Sequence, residues 1–466
     1  MFHFTATYTD LYQLSMAQVY FNKNENQQAV FDYYFRNLPY KGGYAVFAGL
    51  EELLDIIETL RFSEADLEYL KSHDFEPAFL KYLKDFRFSG SIKSMAEGEV
   101  VFPNAPILEV EANLIEAQII ETILLNILNF QTLIATKASR IRNVAGNKTL
   151  LDFGLRRAQG PGGYYASRAA MVGGFDGSSN VVTGRDFGIS ISGTMAHAFV
   201  QSYDDELTAF RDFAKHRPKN CVLLVDTYDT LKSGVPNAIT VAKEMEERDQ
   251  KLLAIRLDSG DLAYLAKRSR KLLDDAGLNY VKIAASNQLD EYVIQSLQNQ
   301  NAPIDIYGVG TNLVIGKPDG ALDGVYKLAF ANGKPRIKIS ESISKVTLPH
   351  KKQVFRVFTE DGTMVGADAV ALEEEWHINR MHHPVEPFKN LVLTSLKQEP
   401  MLHPVMESGK RLNPKKSLQE IAAFSRKQVN ALPDEYKRFD NPHIYKVGIS
   451  TQLKQERDKL IEQHKE

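Results

Sequence analysis

The chain has 466 residues, 44% of them hydrophobic, so apolar content suffices for globular folding and the length calls for two or three cores. Its 56 basic and 59 acidic residues leave a net charge of −3, which excludes a global charge excess for holding nucleic acid or an anionic membrane, so that any anion must be caught locally. The single Cys221 excludes disulfides within the chain and, beside Val222-Leu223-Leu224-Val225, reads as a buried small side chain rather than a nucleophile.

The first ten residues lack the basic start and apolar stretch of a signal peptide. The most apolar helix candidate, Leu114 to Leu133, is interrupted by Glu116, Gln118 and Glu121. A soluble, cytoplasmic protein is the expectation. Leu50, Leu53, Leu54, Ile57 and Leu60 recur at helical spacing, and Ser63 with Asp66 forms a capping-box signature for the next helix. Between Ser91 and Asn113 the pattern turns β-like, at Glu99–Phe102 and Ile107–Val110, punctuated by Pro103-Asn104 and Pro106. A long helix then runs toward Arg142, with Gly146 as its stop. Together these make an α+β N-terminal domain over residues 1–140.

The apolar run at Leu150 ends in Asp152-Phe153-Gly154, then Arg156-Arg157, then Gln159-Gly160-Pro161-Gly162-Gly163. An aromatic face, two guanidiniums and glycines that let backbone approach closely suit a mouth for a planar anion. Further apolar runs follow at Cys221–Val225, Leu252–Leu257, Val281–Ala285 and Ile304–Val309, with helix-like segments between most of them. Each ends in a polar or glycine-rich cluster: Asp226-Thr227-Tyr228-Asp229, Asp258-Ser259-Gly260-Asp261, Ser286-Asn287 and Gly310-Thr311-Asn312. That rhythm predicts parallel βα units whose strand ends converge on one pocket, in a barrel or, less favoured, an open doubly wound sheet. The expected fold class is α/β, an irregular parallel α/β barrel over residues 141–335 with the α+β N-terminal domain and a C-terminal extension. After Pro318 the turn dipeptides Asp319-Gly320, Asp323-Gly324, Asn332-Gly333 and Asp361-Gly362 punctuate strand-like Val325–Phe330 and Val354–Phe358. The pattern assigns a β-rich return to 336–395 and leaves open whether strands from 325–372 join the N-terminal domain. Residues 396–466 read as a charged helical extension ending in a lysine-rich helix, Leu453 to Glu466.

Arg256-Leu257-Asp258 sets a cation and an anion two apart on a strand, hence on one face. His197 closes the small-residue approach Ser192 to Ala196, and the strand-end carboxylate Asp226 could orient its imidazole for nucleophilic or phosphoryl-accepting chemistry. No phosphate-binding Gly-x4-Gly-Lys-Ser/Thr and no Gly-x-Gly-x-x-Gly after a strand is present. His377, His382 and His383 match no zinc spacing. Asp152-Phe153-Gly154 repeats a protein-kinase triplet without the other kinase signatures. Two competing readings are a barrel lyase using Lys282 as a Schiff-base amine and a non-catalytic nucleotide sensor.

Thr9-Asp10-Leu11-Tyr12, Phe153 to Gly160, Gly193 to His197, Asp226 to Asp229, Arg256 to Gly260 and Tyr307 to Thr311 together resemble the nicotinate phosphoribosyltransferases, among the type II phosphoribosyltransferases, over nearly the whole chain. The resemblance implies that nicotinate and phosphoribosyl pyrophosphate become nicotinate mononucleotide and pyrophosphate in NAD salvage. It also implies Mg²⁺, ATP as a co-substrate hydrolysed through a phosphorylated histidine, and a homodimer with its active site at the subunit interface. At the matching positions, Phe153 would stack on the pyridine ring, with Tyr12 of the partner subunit on the other face, and Arg256 would meet the carboxylate. Arg156 would bind phosphate or pyrophosphate oxygens, and Asp258 would face the ribose and the pyrophosphate-bound Mg²⁺. His197, hydrogen-bonded to Asp226, would accept the phosphoryl group, while Ser286, Asn287, Gly310 and Thr311 would cradle the 5′-phosphate. The related nicotinamide enzymes carry an aspartate where this chain has the uncharged Gly177-Ser178-Ser179-Asn180. An aspartate about 4 Å from a carboxylate would cost about 4 kcal/mol at an effective dielectric near 20, on the order of a thousandfold in binding, so Ser179 favours nicotinate over nicotinamide.

Overall fold

The computed structural model describes residues 4–24, 26–341, 345–386 and 388–464. Two compact units make up the chain: Met1–Thr136 together with Ala321–Glu466, and Lys137–Gly320.

In the first unit, aromatic residues at Phe31, Tyr33, Tyr34 and Phe35 suit an extended, half-buried backbone, and Gln28–Phe35 forms a strand there. It runs antiparallel between Leu108–Asn113 and Gly324–Ala331, inside a seven-stranded sheet. Across the second pairing the rings of Phe31 and Tyr326 stack with centroids 4.6 Å apart. Strands from both sides of the parallel region therefore do share one sheet. Residues 324–331 fall within the 141–335 expected for the barrel, but they join this sheet, the option the sequence leaves open for strands from 325–372, because they pair with Gln28–Phe35.

A second, six-stranded sheet contains Lys446–Ser450, parallel to Met364–Leu372 and antiparallel to Arg380–His382. The expectation of a helical extension after residue 396 is thus corrected. Strands Lys397–Pro400, His403–Glu407, Lys410–Arg411 and Lys446–Ser450 alternate there with helices such as Leu418–Ala431 and Thr451–Gln463. Lys397–Pro400 and Lys410–Arg411 lie at sheet edges, where charged side chains are tolerated and mask the strand pattern. The last two residues of the lysine-rich tail lie outside the described residues.

The helical expectations of the N-terminal part hold. Helices Leu50–Thr59 and Glu64–Lys71 form, the latter with both hydrogen bonds of the Ser63–Asp66 capping box. The 25-residue helix Glu121–Ala145 ends at Gly146, whose φ of 58° is left-handed.

The second unit is built on six parallel strands in the order 177–178, 149–152, 306–309, 282–286, 254–257, 222–224. Asp261 and Asp290 accept hydrogen bonds from backbone N–H groups of the helices Leu262–Asp275 and Glu291–Asn299, so an aspartate closes each of these two strand-to-helix turns. Buried Ala254, Ile255, Leu257, Ile283 and Ala285 fill the sheet. Among the described residues no ladder joins the 177–178 edge to the 222–224 edge, and the class is a mixed α/β fold with a parallel sheet. No helix among the described residues is long and apolar enough to cross a membrane.

Candidate functional site

The C-terminal ends of the parallel strands bring the polar clusters together. Phe153 follows the strand Thr149–Asp152, and its backbone N–H donates to Val309 O at 2.8 Å. Its ring rests against Gly308, where a Cβ would fall 2.4 Å from Cδ2. Arg256, on the strand Ala254–Leu257, places its guanidinium carbon 5.7 Å from the Phe153 ring centroid.

Every arm of that guanidinium is held. Its Nε donates to Ser286 Oγ at 2.9 Å, one terminal nitrogen to Thr194 Oγ1 at 3.0 Å and the other to Asp258 Oδ1 at 2.9 Å. Ser286 Oγ also donates to the same Asp258 oxygen. The arginine, two hydroxyls and a carboxylate from three segments thus form one preorganised polar group beside an aromatic face.

Asp226 anchors the neighbouring strand end. Its Oδ2 accepts from Asp258 N at 2.9 Å and Ser259 Oγ at 2.6 Å, while its Oδ1 is buried with no hydrogen-bond partner. His197 opens the short helix His197–Gln201 and lies with Nε2 4.0 Å from Asp226 Oδ1 and 3.9 Å from Asp258 Oδ2. The expected hydrogen bond from His197 to Asp226 is not made, since 4.0 Å is beyond hydrogen-bond range. Thr227 takes that place, with Oγ1 3.1 Å from His197 Nδ1.

These distances decide which of the expected residues meet. Phe153, Arg256, Asp258, Ser286, His197 and Asp226 form a continuous chain of contacts. Arg156 sits exposed in the single turn Leu155–Arg157 and makes no ion pair among the described residues. Ser179 is partly exposed and donates its backbone N–H to Asp152 O at 2.9 Å. Tyr12, on the helix Leu11–Asn22 of the first unit, is 52% exposed.

Three comparisons bear on this constellation. A family model described as "Nicotinate phosphoribosyltransferase (NAPRTase) family" matches residues 149–363, with the corresponding N-terminal and C-terminal domain models over 7–129 and 351–457. The nicotinate phosphoribosyltransferase of Bacillus subtilis (strain 168) is 44% identical over 455 residues, spanning 95% of this chain and 92% of the relative. This chain belongs to the nicotinate phosphoribosyltransferase family. The relative of the same name from Dictyostelium discoideum is 37% identical, spanning 96% of this chain and 87% of its own length. The crystal structure of human nicotinic acid phosphoribosyltransferase superposes with a TM-score of 0.86 at 31% identity, over 97% of this chain and 99% of that one.

Two residues named in the sequence only as parts of motifs hold this candidate site together. Buried Asp152 accepts from Gly154 N at 2.8 Å, Ser167 Oγ at 2.7 Å and Ser178 Oγ at 2.8 Å, tying the Phe153 turn to the segment that carries Ser179. Burial pushes its carboxyl above the usual range, against the pull of those donors. Asn312 donates from Nδ2 to Gln288 O at 3.1 Å and Leu289 O at 3.2 Å, fixing the loop after Ser286 to the turn after Val309. In that loop Asn287 and Gln288 have φ of 83° and 52°, and Gly310-Thr311 begins the adjacent helical turn. The signal for both was position alone: a carboxylate and an amide directly flanking the motif residues.

The competing lyase reading loses its geometry. Lys282 opens its strand, exposed, at the end opposite Ser286. Cys221 is buried, and burial pushes its thiol up to about 12.

Proposed function

We infer that this chain joins nicotinate to phosphoribosyl pyrophosphate, releasing pyrophosphate and forming nicotinate mononucleotide, a step of NAD salvage. The carrying observation is the pair of the Phe153 ring and the Arg256 guanidinium, 5.7 Å apart at the strand ends. Phe153 offers a face for the pyridine ring and Arg256 a cation for the carboxylate. Because Asp258, Thr194 and Ser286 already hold the guanidinium, nicotinate meets an arginine that is oriented before it arrives. The neutral Gly177-Ser178-Ser179-Asn180 segment places no carboxylate to repel the acid.

The pyridine nitrogen carries its own lone pair, so the ring needs no general base. Departure of pyrophosphate leaves positive charge at C1′ of the ribose, which the Asp258 carboxylate stabilises while Arg156 holds the leaving anion. Ser286, Asn287, Gly310 and Thr311 offer hydroxyl and backbone N–H donors for the 5′-phosphate, and Asn312 keeps their two loops together. Asp226 Oδ1, buried and unpartnered, and the Asp258 carboxylate supply hard oxygen donors of the kind Mg²⁺ takes. Bound there with pyrophosphate, the ion would neutralise developing charge on the leaving group.

His197 serves as the acceptor of the phosphoryl group of ATP, held by Thr227 on one side and facing two carboxylates on the other. A homodimer brings Tyr12 of the partner subunit to the open side of the pyridine ring, on a parallel sheet curled as an irregular barrel. The bridge from Ser178 to Ile191, which extends the sheet beyond its 177–178 edge, supports that curl. A cytoplasmic setting accords with the single buried Cys221. The test is pyrophosphate release with nicotinate and nicotinamide side by side, with and without ATP. Nicotinate should be turned over and nicotinamide not. His197→Ala should abolish the ATP hydrolysis and keep an ATP-independent residue of synthesis, and undiminished ATP hydrolysis in that variant would remove His197 from the reaction.

A further inference from the structure

The first unit holds a cavity of about 550 Å³, and none of its lining residues belongs to the strand-end cluster. That volume lies within the range that encloses a small ligand. Asp32 and Tyr34, two apart on the strand Gln28–Phe35, line one wall. Lys454, Arg457, Asp458 and Ile461 line another, at the i, i+3, i+4, i+7 spacing that puts them on one face of the helix Thr451–Gln463.

Two features of this lining call for a ligand. Asp32 is 3% exposed, and although its Oδ2 meets Lys352 Nζ at 2.9 Å, its buried Oδ1 accepts no hydrogen bond. A buried acceptor left bare costs free energy that a donor on a bound molecule would recover. On the helical wall, Lys454 and Arg457 both pair with the one carboxylate of Asp458. Two cations share one anion, and neither makes another ion pair among the described residues. His383 is also in the lining: its Nδ1 accepts from Val385 N at 3.2 Å and Glu386 N at 2.9 Å, and its Nε2 lies 3.8 Å from Glu386 Oε1.

We propose that this cavity is a second small-molecule site, taking an organic anion whose phosphate or carboxylate meets Lys454 and Arg457 and whose body donates a hydrogen bond to Asp32. Val346, Leu348 and Val385 supply apolar wall for that body, so the ligand carries a compact apolar or aromatic centre. The inference does not rest on the strand-end chemistry, because its residues all belong to the first unit.

Calorimetric titration of the full chain with adenosine 5′-monophosphate and with 4-aminobenzoate tests it. Each probe joins an N–H donor to an anion, one a phosphate and the other a carboxylate, so the tighter binder identifies the head group. Binding of at least one is expected in the millimolar range or tighter, and it should persist in Arg256→Ala, which alters only the second unit. Lys454→Gln, at a partly exposed position, should weaken it about tenfold or more while leaving turnover of nicotinate unchanged, the loss of one charge-assisted hydrogen bond. Asp32→Asn should weaken it similarly if it folds, and Lys454→Gln decides the matter if it does not. Absence of binding by both probes, or binding lost in Arg256→Ala and kept in Lys454→Gln, overturns the proposal.

Discussion

At the scale of single residues, the candidate site depends on Gly308 having no side chain. The Phe153 ring occupies the space a Cβ would need, with Cδ2 and Cε2 at 2.4 and 2.5 Å from that position, so any larger residue must displace the ring. The ring in turn faces Arg256, and a shift of about 1 Å at such a contact is enough to cost a large factor in productive binding. Gly308→Ala should therefore raise KM for nicotinate about tenfold or more while leaving KM for phosphoribosyl pyrophosphate near its original value. Overpacking of this kind also costs about 1–3 kcal/mol, so a lower melting temperature accompanies it. Steady-state kinetics with each substrate varied in turn separates the two effects. A nicotinate KM that does not move would mean that Phe153 is not the ring's platform.

Between elements, Asn312 links two strand-end loops that share no backbone hydrogen bonds among the described residues. Its Nδ2 donates to the carbonyls of Gln288 and Leu289, and the left-handed backbone of Asn287 and Gln288 depends on being held from outside. Asn312→Ala should free that loop, raising KM for phosphoribosyl pyrophosphate severalfold with a smaller change for nicotinate; equal changes in both would point to general destabilisation. This contact shows what the sequence could convey and what it could not. Strand ends bearing Asp226, Arg256, Asp258 and Ser286 were legible, since apolar runs followed by polar clusters report parallel βα units directly. Asn312 and Asp152 lie in the same kind of motif, but their bracing role was not legible, because Ser167, Ser178, Gln288 and Leu289, which they meet, are distant in sequence. The His197 partner was misjudged for a related reason: Thr227 and Asp226 are adjacent, and only geometry tells which one reaches the imidazole. The strand Gln28–Phe35 was missed because Phe31, Tyr33, Tyr34 and Phe35 form an aromatic run without clean alternation. The tail strands were hidden by charges that an edge position allows.

On the scale of the whole molecule, the first unit is assembled from both ends of the chain, and its buried charges come from both. Lys352 from the C-terminal part meets Asp32, and its backbone N–H donates to Glu109 at 2.9 Å. Burial, aided by the charge of Asp32 and opposed by Lys352, pushes the Glu109 carboxyl from 4.5 up to about 7. A carboxyl raised in the fold favours folding in its protonated form, so its contribution is complete below pH 4.5 and is lost as pH rises through about 7. Glu109→Gln should flatten the decline in stability between those limits, measured by urea denaturation, and parallel slopes would assign the decline to other groups. The final dependence is on Lys446–Ser450, which lies between Met364–Leu372 and Arg380–His382 rather than at an edge. Just before it, Tyr445 stacks on Phe102 with centroids 3.3 Å apart and donates to Asp368 at 2.8 Å, and Arg356 bonds both Asp368 and Glu99. A chain ending at Asp440 loses that strand and ring together, unpairs two neighbouring strands and strips the Tyr445 hydroxyl from the buried Asp368 carboxylate, a hydrogen bond to a charged group worth about 1.5–3 kcal/mol. It should not melt cooperatively. A chain ending at Ser450 keeps the strand, loses only the helix with Lys454 and Arg457, and should unfold cooperatively at a lower temperature with the anion affinity gone. Circular dichroism melts of the two truncations decide the point: cooperative melting of the shorter one, at the temperature of the full chain, would show that the first unit does not need its C-terminal strand.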